Sequence, residues 1–91
     1  MKALASEPRP GDGVKDVRLT DDSLVVDLID GRTISVPLVF YPRLFRATRE
    51  QRANWRIVGG GFGIHWPDVD EDLSTEGLLR GALATARIRK D

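Results

Sequence analysis

The chain has 91 residues, of which 41% are hydrophobic and 31% are charged, and its 14 basic side chains balance 14 acidic ones to a net charge of zero. This composition argues against a disordered chain, a membrane span and a whole-molecule field that attracts nucleic acid. One small domain is expected, because two cores would each bury too little apolar surface. The chain has no cysteine and no apolar signal-peptide core near its start, so a cytoplasmic location is expected.

The N-terminal half shows two kinds of sequence. Residues 1–13 hold two prolines and two glycines without a periodic apolar pattern, which predicts a flexible tail. We expect a single α+β domain over residues 14–91. Within it, residues 14–20, 24–29 and 32–38 alternate apolar and polar side chains. That period is typical of half-buried strands, so three antiparallel strands are predicted.

The second turn of these strands can be predicted more closely. A two-residue loop would place core residues opposite the wrong face. A three-residue loop over residues 29–31 instead pairs Val26 with Ile34 and keeps the apolar side chains together. We therefore predict a type I turn closed by a bulge, with Gly31 in the left-handed region. Pro37 lacks a backbone donor, so the third strand should end there at an edge.

The segment "YPRLFRATREQRANWR", residues 41–56, changes to a helical period. Pro42 suits a first helical position. At 100° per residue the segment forms one apolar face and a separate cluster of arginines. The apolar face would carry Leu44, Ala47, Thr48, Gln51 and Trp55. One amphipathic helix is predicted.

The segment "IVGGGFGIHW", residues 57–66, resembles strand sequence interrupted by glycines, which predicts a bulged strand or a tight hairpin. A second helix should begin near Ser74, a favourable N-cap. It either ends at Gly81 or uses Gly77 and Gly81 for close packing. Its predicted apolar stripe is Leu78, Leu79, Ala82, Leu83 and Ala86, beside a small-residue strip of Gly77, Gly81 and Ala84. That strip could be a docking groove or a capped helix end.

These elements predict an α+β fold class. We expect a small antiparallel sheet of three N-terminal strands plus the bulged strand or hairpin, packed against two helices.

The acidic stretch that precedes the second helix allows two interpretations. His65, Asp68, Asp70, Glu71 and Asp72 could bind a divalent cation or tune a proton transfer. The stretch lacks the glycine and distal glutamate of a calcium loop and the second histidine of a helical zinc motif. The favoured interpretation is structural. Asp70 and Asp72 would bond backbone at the helix entry, Glu71 would stay solvated, and the His65 ring would be satisfied within a strand.

Two opposite charge clusters lie close together in the sequence. Residues 41–56 carry five arginines against Glu50, a net charge of +4, whereas residues 65–76 carry five acidic residues and no basic one, a net charge of −5. The clusters could pair within the molecule, with Arg52 or Arg56 on the carboxylates of Asp70 or Asp72. Alternatively, each faces outward and docks on another chain. Nucleic-acid binding is less favoured, because nearby carboxylates repel phosphate.

Several motifs together resemble the prokaryotic domain of unknown function 2442 family. They are "YPRL", "AT", "QR.NW" and "G.GIHWPD.DEDLS.EGLL.G", and the match runs from about Val14 to Gly81. The resemblance implies a small α+β protein. Some members carry a C-terminal helix-turn-helix domain, and many are similar to antitoxin-like partners of small toxin-type proteins. The resemblance supplies no catalytic residue, and we do not expect this chain to repress transcription alone.

The sequence therefore favours a non-enzymatic protein-interaction module, the antitoxin-like or regulatory half of a small bacterial pair. Its expected partner is a neighbour-encoded protein or a second copy of the chain, with no membrane, cofactor, metal or catalytic residue. The predicted interface is Arg43, Arg46, Arg49, Arg52, Arg56, His65, Trp66, Asp70, Glu71 and Asp72. The alternative is a metal-dependent enzyme centred on His65, Asp70 and Asp72. A weaker alternative is nucleic-acid binding through the arginine-rich helix.

Overall fold

A computed structural model describes residues 9–81. Over this range the strands are β1 (Val14–Leu19), β2 (Ser23–Leu28), β3 (Thr33–Pro37), β4 (Arg56–Val58), β5 (Gly63–Trp66) and β6 (Glu71–Ser74). The α-helices are α1 (Pro42–Phe45), α2 (Arg49–Ala53) and α3 (Thr75–Arg80). Short 3-10 turns occupy Pro10–Asp12, Leu38–Phe40 and Gly59–Gly61. The predicted α+β class is confirmed. No helix within residues 9–81 has the length and apolar character needed to cross a membrane.

The first three strands form an antiparallel sheet in the order β1-β2-β3, here called sheet A. Its second turn has the predicted register, with Val26 opposite Ile34. The Leu28 N–H donates to the Arg32 carbonyl at 2.8 Å, so residues 29–31 form the loop. Gly31 has φ 98°, which glycine tolerates because it lacks a Cβ. The third strand ends at Pro37, on the edge of the sheet, as predicted.

Sheet A buries one face and exposes the other. Leu24, Val26 and Leu28 are completely buried, because alternate side chains of a strand point to opposite faces. On the outer face, Asp27 accepts hydrogen bonds from Arg18 at 2.8 Å and from Thr33 at 2.9 Å. Alternation in the sequence is therefore enough to account for both faces.

The predicted single helix over residues 41–56 is wrong, because the chain leaves the helix after α1 and starts again at α2. Thr48 has extended backbone angles, and its hydroxyl accepts from the Gln51 N–H at 3.1 Å. The Gln51 side chain in turn accepts from the Thr48 N–H at 2.9 Å. This capping box makes Thr48 a helix start. Trp55 consequently lies between α2 and β4 and is partly buried against the core.

The second half forms another antiparallel sheet, in the order β4-β5-β6, here called sheet B. Of the two predicted options, the hairpin is correct, with β4 and β5 joined through Gly59–Gly61. No strand was predicted in the acidic stretch that precedes the second helix, but it contains β6. Glu71 and Leu73 point inward and Asp72 points outward, so a carboxylate occupies an inward position and hides the strand period.

The last described helix begins where predicted. The Ser74 hydroxyl accepts from the Gly77 N–H at 3.0 Å. Gly81 ends α3 with φ 75°, so the predicted stop at this glycine is correct. Thr75 and Leu78 are buried, whereas Leu79 is 43% exposed, because successive residues of a helix point about 100° apart. Ala82, Leu83, Ala84 and Ala86 lie outside the described residues.

Candidate functional site

Arg52 stabilises the fold through hydrogen bonds of its side chain and backbone. Its Nε donates to the Leu44 carbonyl at 3.0 Å and its Nη2 donates to the Phe45 carbonyl at 2.8 Å. These carbonyls lie at the end of α1, where the regular helical bonds stop, and the Leu44 carbonyl also accepts from the Ala47 N–H at 3.1 Å. The Arg52 carbonyl accepts from the Trp66 indole at 3.0 Å. One residue therefore joins α1, α2 and β5.

Arg43 stabilises the turn between β5 and β6. Its Nη1 donates to the backbone carbonyl of Asp70 at 2.6 Å. Asp70 is the one non-glycine residue with positive φ in residues 9–81, at 54°, a conformation that aspartate adopts more readily than most residues. The expected pairing of Arg52 or Arg56 with the carboxylates of Asp70 or Asp72 is wrong, because the arginine contact with this turn goes to a carbonyl.

Three of the five arginines are exposed, and their side chains have no partner in the part of the chain that the structure describes. Arg46, Arg49 and Arg56 lie on the surface, and none of their guanidinium groups donates a hydrogen bond or forms an ion pair within residues 9–81. We call these three the free-arginine set. The positive cluster predicted from the sequence therefore divides into two structural arginines and three available ones.

His65 lies in a row across the outer face of sheet B. It stands opposite Arg56 on β4 and opposite Asp72 on β6. Its Nδ1 lies 2.7 Å from the Asp72 carboxylate, which can only accept when ionised, so Nδ1 donates. The expected satisfied ring is confirmed, although Asp72 bonds this side chain and not the helix entry.

Glu71 and Trp66 were predicted to contact a partner, but both are buried. Trp66 has no exposed surface and Glu71 is 6% exposed. Glu71 was expected to be solvated, which is also wrong. It lies near the buried Tyr41, where burial and then the negative charge of Glu71 raise the pKa of the Tyr41 phenol. Trp66 and Glu71 therefore lie in the core, beneath the residues of the surface.

The acidic side chains do not gather around one point. Asp68 accepts from the Asn54 amide at 3.1 Å, while Asp72 binds His65. Across residues 9–81 there is no group of three histidine, aspartate or glutamate side chains able to hold a metal ion. The geometry therefore provides no ligand set for the alternative centred on His65, Asp70 and Asp72.

A cleft of about 230 Å³ lies between the end of β1 and α2. Its lining residues are Val17, Leu19, Thr20, Asp21, Arg49, Arg52, Ala53 and Trp55. The sequence identifies some of these as core or basic residues, but it does not predict that they line one cleft. No local pattern could, because the two walls are about thirty positions apart and meet only through the tertiary fold.

Residues 9–81 contain two small antiparallel sheets, three short α-helices and an arginine-bearing surface, and no cluster of metal-binding side chains within that range. They define a small α+β domain of unknown activity. The chain belongs to the family described as a protein of unknown function, DUF2442, whose model matches residues 14–84.

Two solved structures are similar. One is a protein of unknown function from Rhodospirillum rubrum, with 31% identity and a TM-score of 0.70 over 82% of this chain and 93% of that one. The other is an uncharacterised protein from Chromobacterium violaceum, with 24% identity and a TM-score of 0.68 over 84% of this chain and 73% of that one. The second likeness concerns the fold alone. No curated protein matches the chain significantly.

Proposed function

We propose that this protein is a non-enzymatic interaction module, the antitoxin-like or regulatory half of a small bacterial pair. The observation that supports this function is the free-arginine set, Arg46, Arg49 and Arg56, which is exposed and has no partner within residues 9–81. The cytoplasmic location expected from the sequence is part of the same proposal.

The free-arginine set has the properties of a recognition surface. Arginine is enriched at protein interfaces, and lysine is depleted there. The remaining two arginines of the segment, Arg43 and Arg52, hold its backbone in place. A guanidinium carried on a fixed backbone loses less freedom when it binds a carboxylate. We therefore expect the partner to present an acidic surface, which gives steering and register.

Co-expression tests this function. The tagged chain is produced together with the genes that flank its own, and the proteins that co-purify are identified by mass spectrometry. We expect a neighbour-encoded protein to co-purify in stoichiometric amount. Reversing two free arginines, Arg46→Glu with Arg49→Glu, should abolish the complex, because like charges would then face each other.

The matched control is Lys15→Glu, an exposed basic residue on β1. It should leave the complex intact and the melting temperature unchanged. Arg52 is left in place, because its replacement would remove the bonds that end α1. Retention of the neighbour-encoded protein by the double variant, or an equal loss in the Lys15 control, would rule out the free-arginine set as the interface.

A further inference from the structure

We propose that the cleft between β1 and α2 receives one apolar side chain of a partner protein, while Arg49 binds a carboxylate of the same segment. This inference rests on the proposed function, because it specifies what the partner presents to the free-arginine set. The observations that support it are the size of the cleft, its apolar floor and the charges at its rim that form no ion pair within residues 9–81.

The floor suits an apolar anchor. Val17 is 5% exposed, and Leu19 and Trp55 are partly buried against the core. A volume of about 230 Å³ is smaller than the roughly 300–1,000 Å³ of typical small-molecule sites. The cleft therefore accommodates one or two side chains. Strong interface anchors are apolar side chains that enter such pockets, surrounded by a polar rim.

The charged side chains at the rim of the cleft determine which charge the partner's segment should carry. The Nε and Nη2 of Arg52 donate to the carbonyls of α1, whereas the Arg49 guanidinium has no partner in residues 9–81. Asp21 also lines the cleft, is exposed, and forms no ion pair with either arginine within 4 Å. One carboxylate of the partner segment would bind Arg49, which makes no ion pair with Asp21 in residues 9–81. A run of phosphates would meet the repulsion of Asp21, so an acidic protein segment is favoured over nucleic acid.

The side of the cleft at the end of β1 is held by hydrogen bonds within the chain. The Thr20 hydroxyl accepts from the Ser23 N–H at 2.9 Å and donates to the Asp22 carboxylate at 3.1 Å. The Thr20 N–H donates to the Ser23 carbonyl at 2.9 Å. With the opposite wall fixed through Arg52, the cleft is preorganised, which lowers the entropic cost of binding.

Peptide titration tests the inference without knowledge of the natural partner. The probe is an acetylated, amidated peptide of glycine, leucine, glycine, aspartate and glycine, whose leucine and aspartate point to the same side when extended. Two matched peptides replace aspartate by asparagine or leucine by serine. In NMR spectra of the labelled chain, the probe should shift the Trp55 indole and Leu19 methyl signals. Each matched peptide should bind at least about threefold more weakly, as expected for loss of one exposed ion pair or one apolar anchor.

Matched variants separate the cleft from the rest of the surface. Arg49→Gln should weaken the probe at least about threefold, whereas Arg46→Gln makes the same change outside the cleft and should not. Ala53→Trp places a large side chain in the cleft from an exposed position and should block the probe. The inference is overturned if no peptide shifts these signals, if all three bind equally, or if Arg49→Gln behaves like Arg46→Gln.

This test is independent of the co-expression test. If a neighbour-encoded protein is captured and lost with Arg46→Glu and Arg49→Glu, but Ala53→Trp leaves it bound, the cleft is wrong and the proposed function stands. If no neighbour-encoded protein is captured, the proposed function fails whatever the peptides do.

Discussion

Sheet A joins three consecutive strands through short turns, and its central strand alternates completely buried side chains with half-buried ones. The outer face is held by exposed polar contacts such as the one between Arg18 and Asp27. Sheet B contains a hairpin and a third strand but depends on contacts with the segment before it. The Trp66 indole binds the Arg52 carbonyl, and Arg43 binds the Asp70 carbonyl.

The difference shows where this domain is locally specified and where it is not. Sheet A follows from alternation and turn chemistry within about 25 residues of sequence. Sheet B and the segment containing α1 and α2 stabilise each other through side-chain-to-backbone bonds across 14 and 27 positions. The surface proposed for binding is therefore carried by the region that depends most on distant contacts. Substitutions that remove those contacts should disturb it first.

The largest effect is expected for Trp66→Ala in sheet B. The side chain is completely buried and its indole is hydrogen-bonded, so truncation should lower the free energy of unfolding by about 3–5 kcal/mol. That is a large part of the roughly 5–15 kcal/mol of a typical domain. Urea denaturation measures it. Ile29→Ala, at a 58% exposed position beside sheet A, should change stability by less than about 0.5 kcal/mol. Similar losses of unfolding free energy in Trp66→Ala and Ile29→Ala would contradict this contrast between the two positions.

A second substitution pair tests the division between structural and available arginines. Arg52→Gln removes two charge-assisted bonds to α1 and should cost about 1.5–3 kcal/mol. Arg49→Gln on the same helix should stay within about 0.5 kcal/mol of the parent. Thermal and urea unfolding of both variants check this. Equal stability of the two would mean that Arg52 is not a structural residue.

The two regions should also respond to opposite ends of the pH scale. Burial, and then Glu71, raise the pKa of Tyr41 above its usual value of about 10. The unfolded chain then loses this proton first, so stability falls as pH rises above 10. Tyr41→Phe should show a smaller fall between pH 9 and 11, measured as the difference in unfolding free energy between variant and parent. The same fall in both proteins would remove Tyr41 as its cause.

Sheet A should lose a smaller contribution in acid. The Thr33 hydroxyl, and then Arg18, lower the pKa of Asp27 below its usual value of about 3.8. This contribution is complete above that value and is lost as pH falls through the folded pKa. Asp27→Asn should therefore lose less stability than the parent on acidification below pH 4, by urea unfolding at a series of pH values. The opposite order would show that this carboxylate does not stabilise the sheet.

Most of sheet A could be predicted from the sequence. Alternation placed the strands, and the pairing of Val26 with Ile34 selected the three-residue turn with Gly31 at positive φ. These features are local, because each depends on residues within one hairpin. The same holds for Ser74 and Gly81, which cap the two ends of α3.

The break between α1 and α2 has a signal in the sequence. Thr48 and Gln51 have the spacing of a capping box, which marks a helix start. The helical periodicity of the whole segment outweighed it. Trp55 lies outside either helix because α2 ends at Ala53, where Asn54 leaves the helical conformation.

The third strand of sheet B and the cleft could not be predicted in this way. Glu71 occupies an inward position of β6, and a buried carboxylate disguises the alternation that identifies a strand. Its neighbour Tyr41 is 30 positions away, and Arg49 and Asp21, which line the same cleft, are 28 positions apart. Only the tertiary structure brings these side chains together.

The most direct test of the central claim is calorimetric titration of the neighbour-encoded partner with the parent chain, Arg49→Glu and Lys15→Glu. We expect Arg49→Glu to raise the Kd by at least about tenfold at an unchanged melting temperature, and Lys15→Glu to change it by less than about twofold. Equal Kd values for the two variants would contradict an interface built on the free-arginine set.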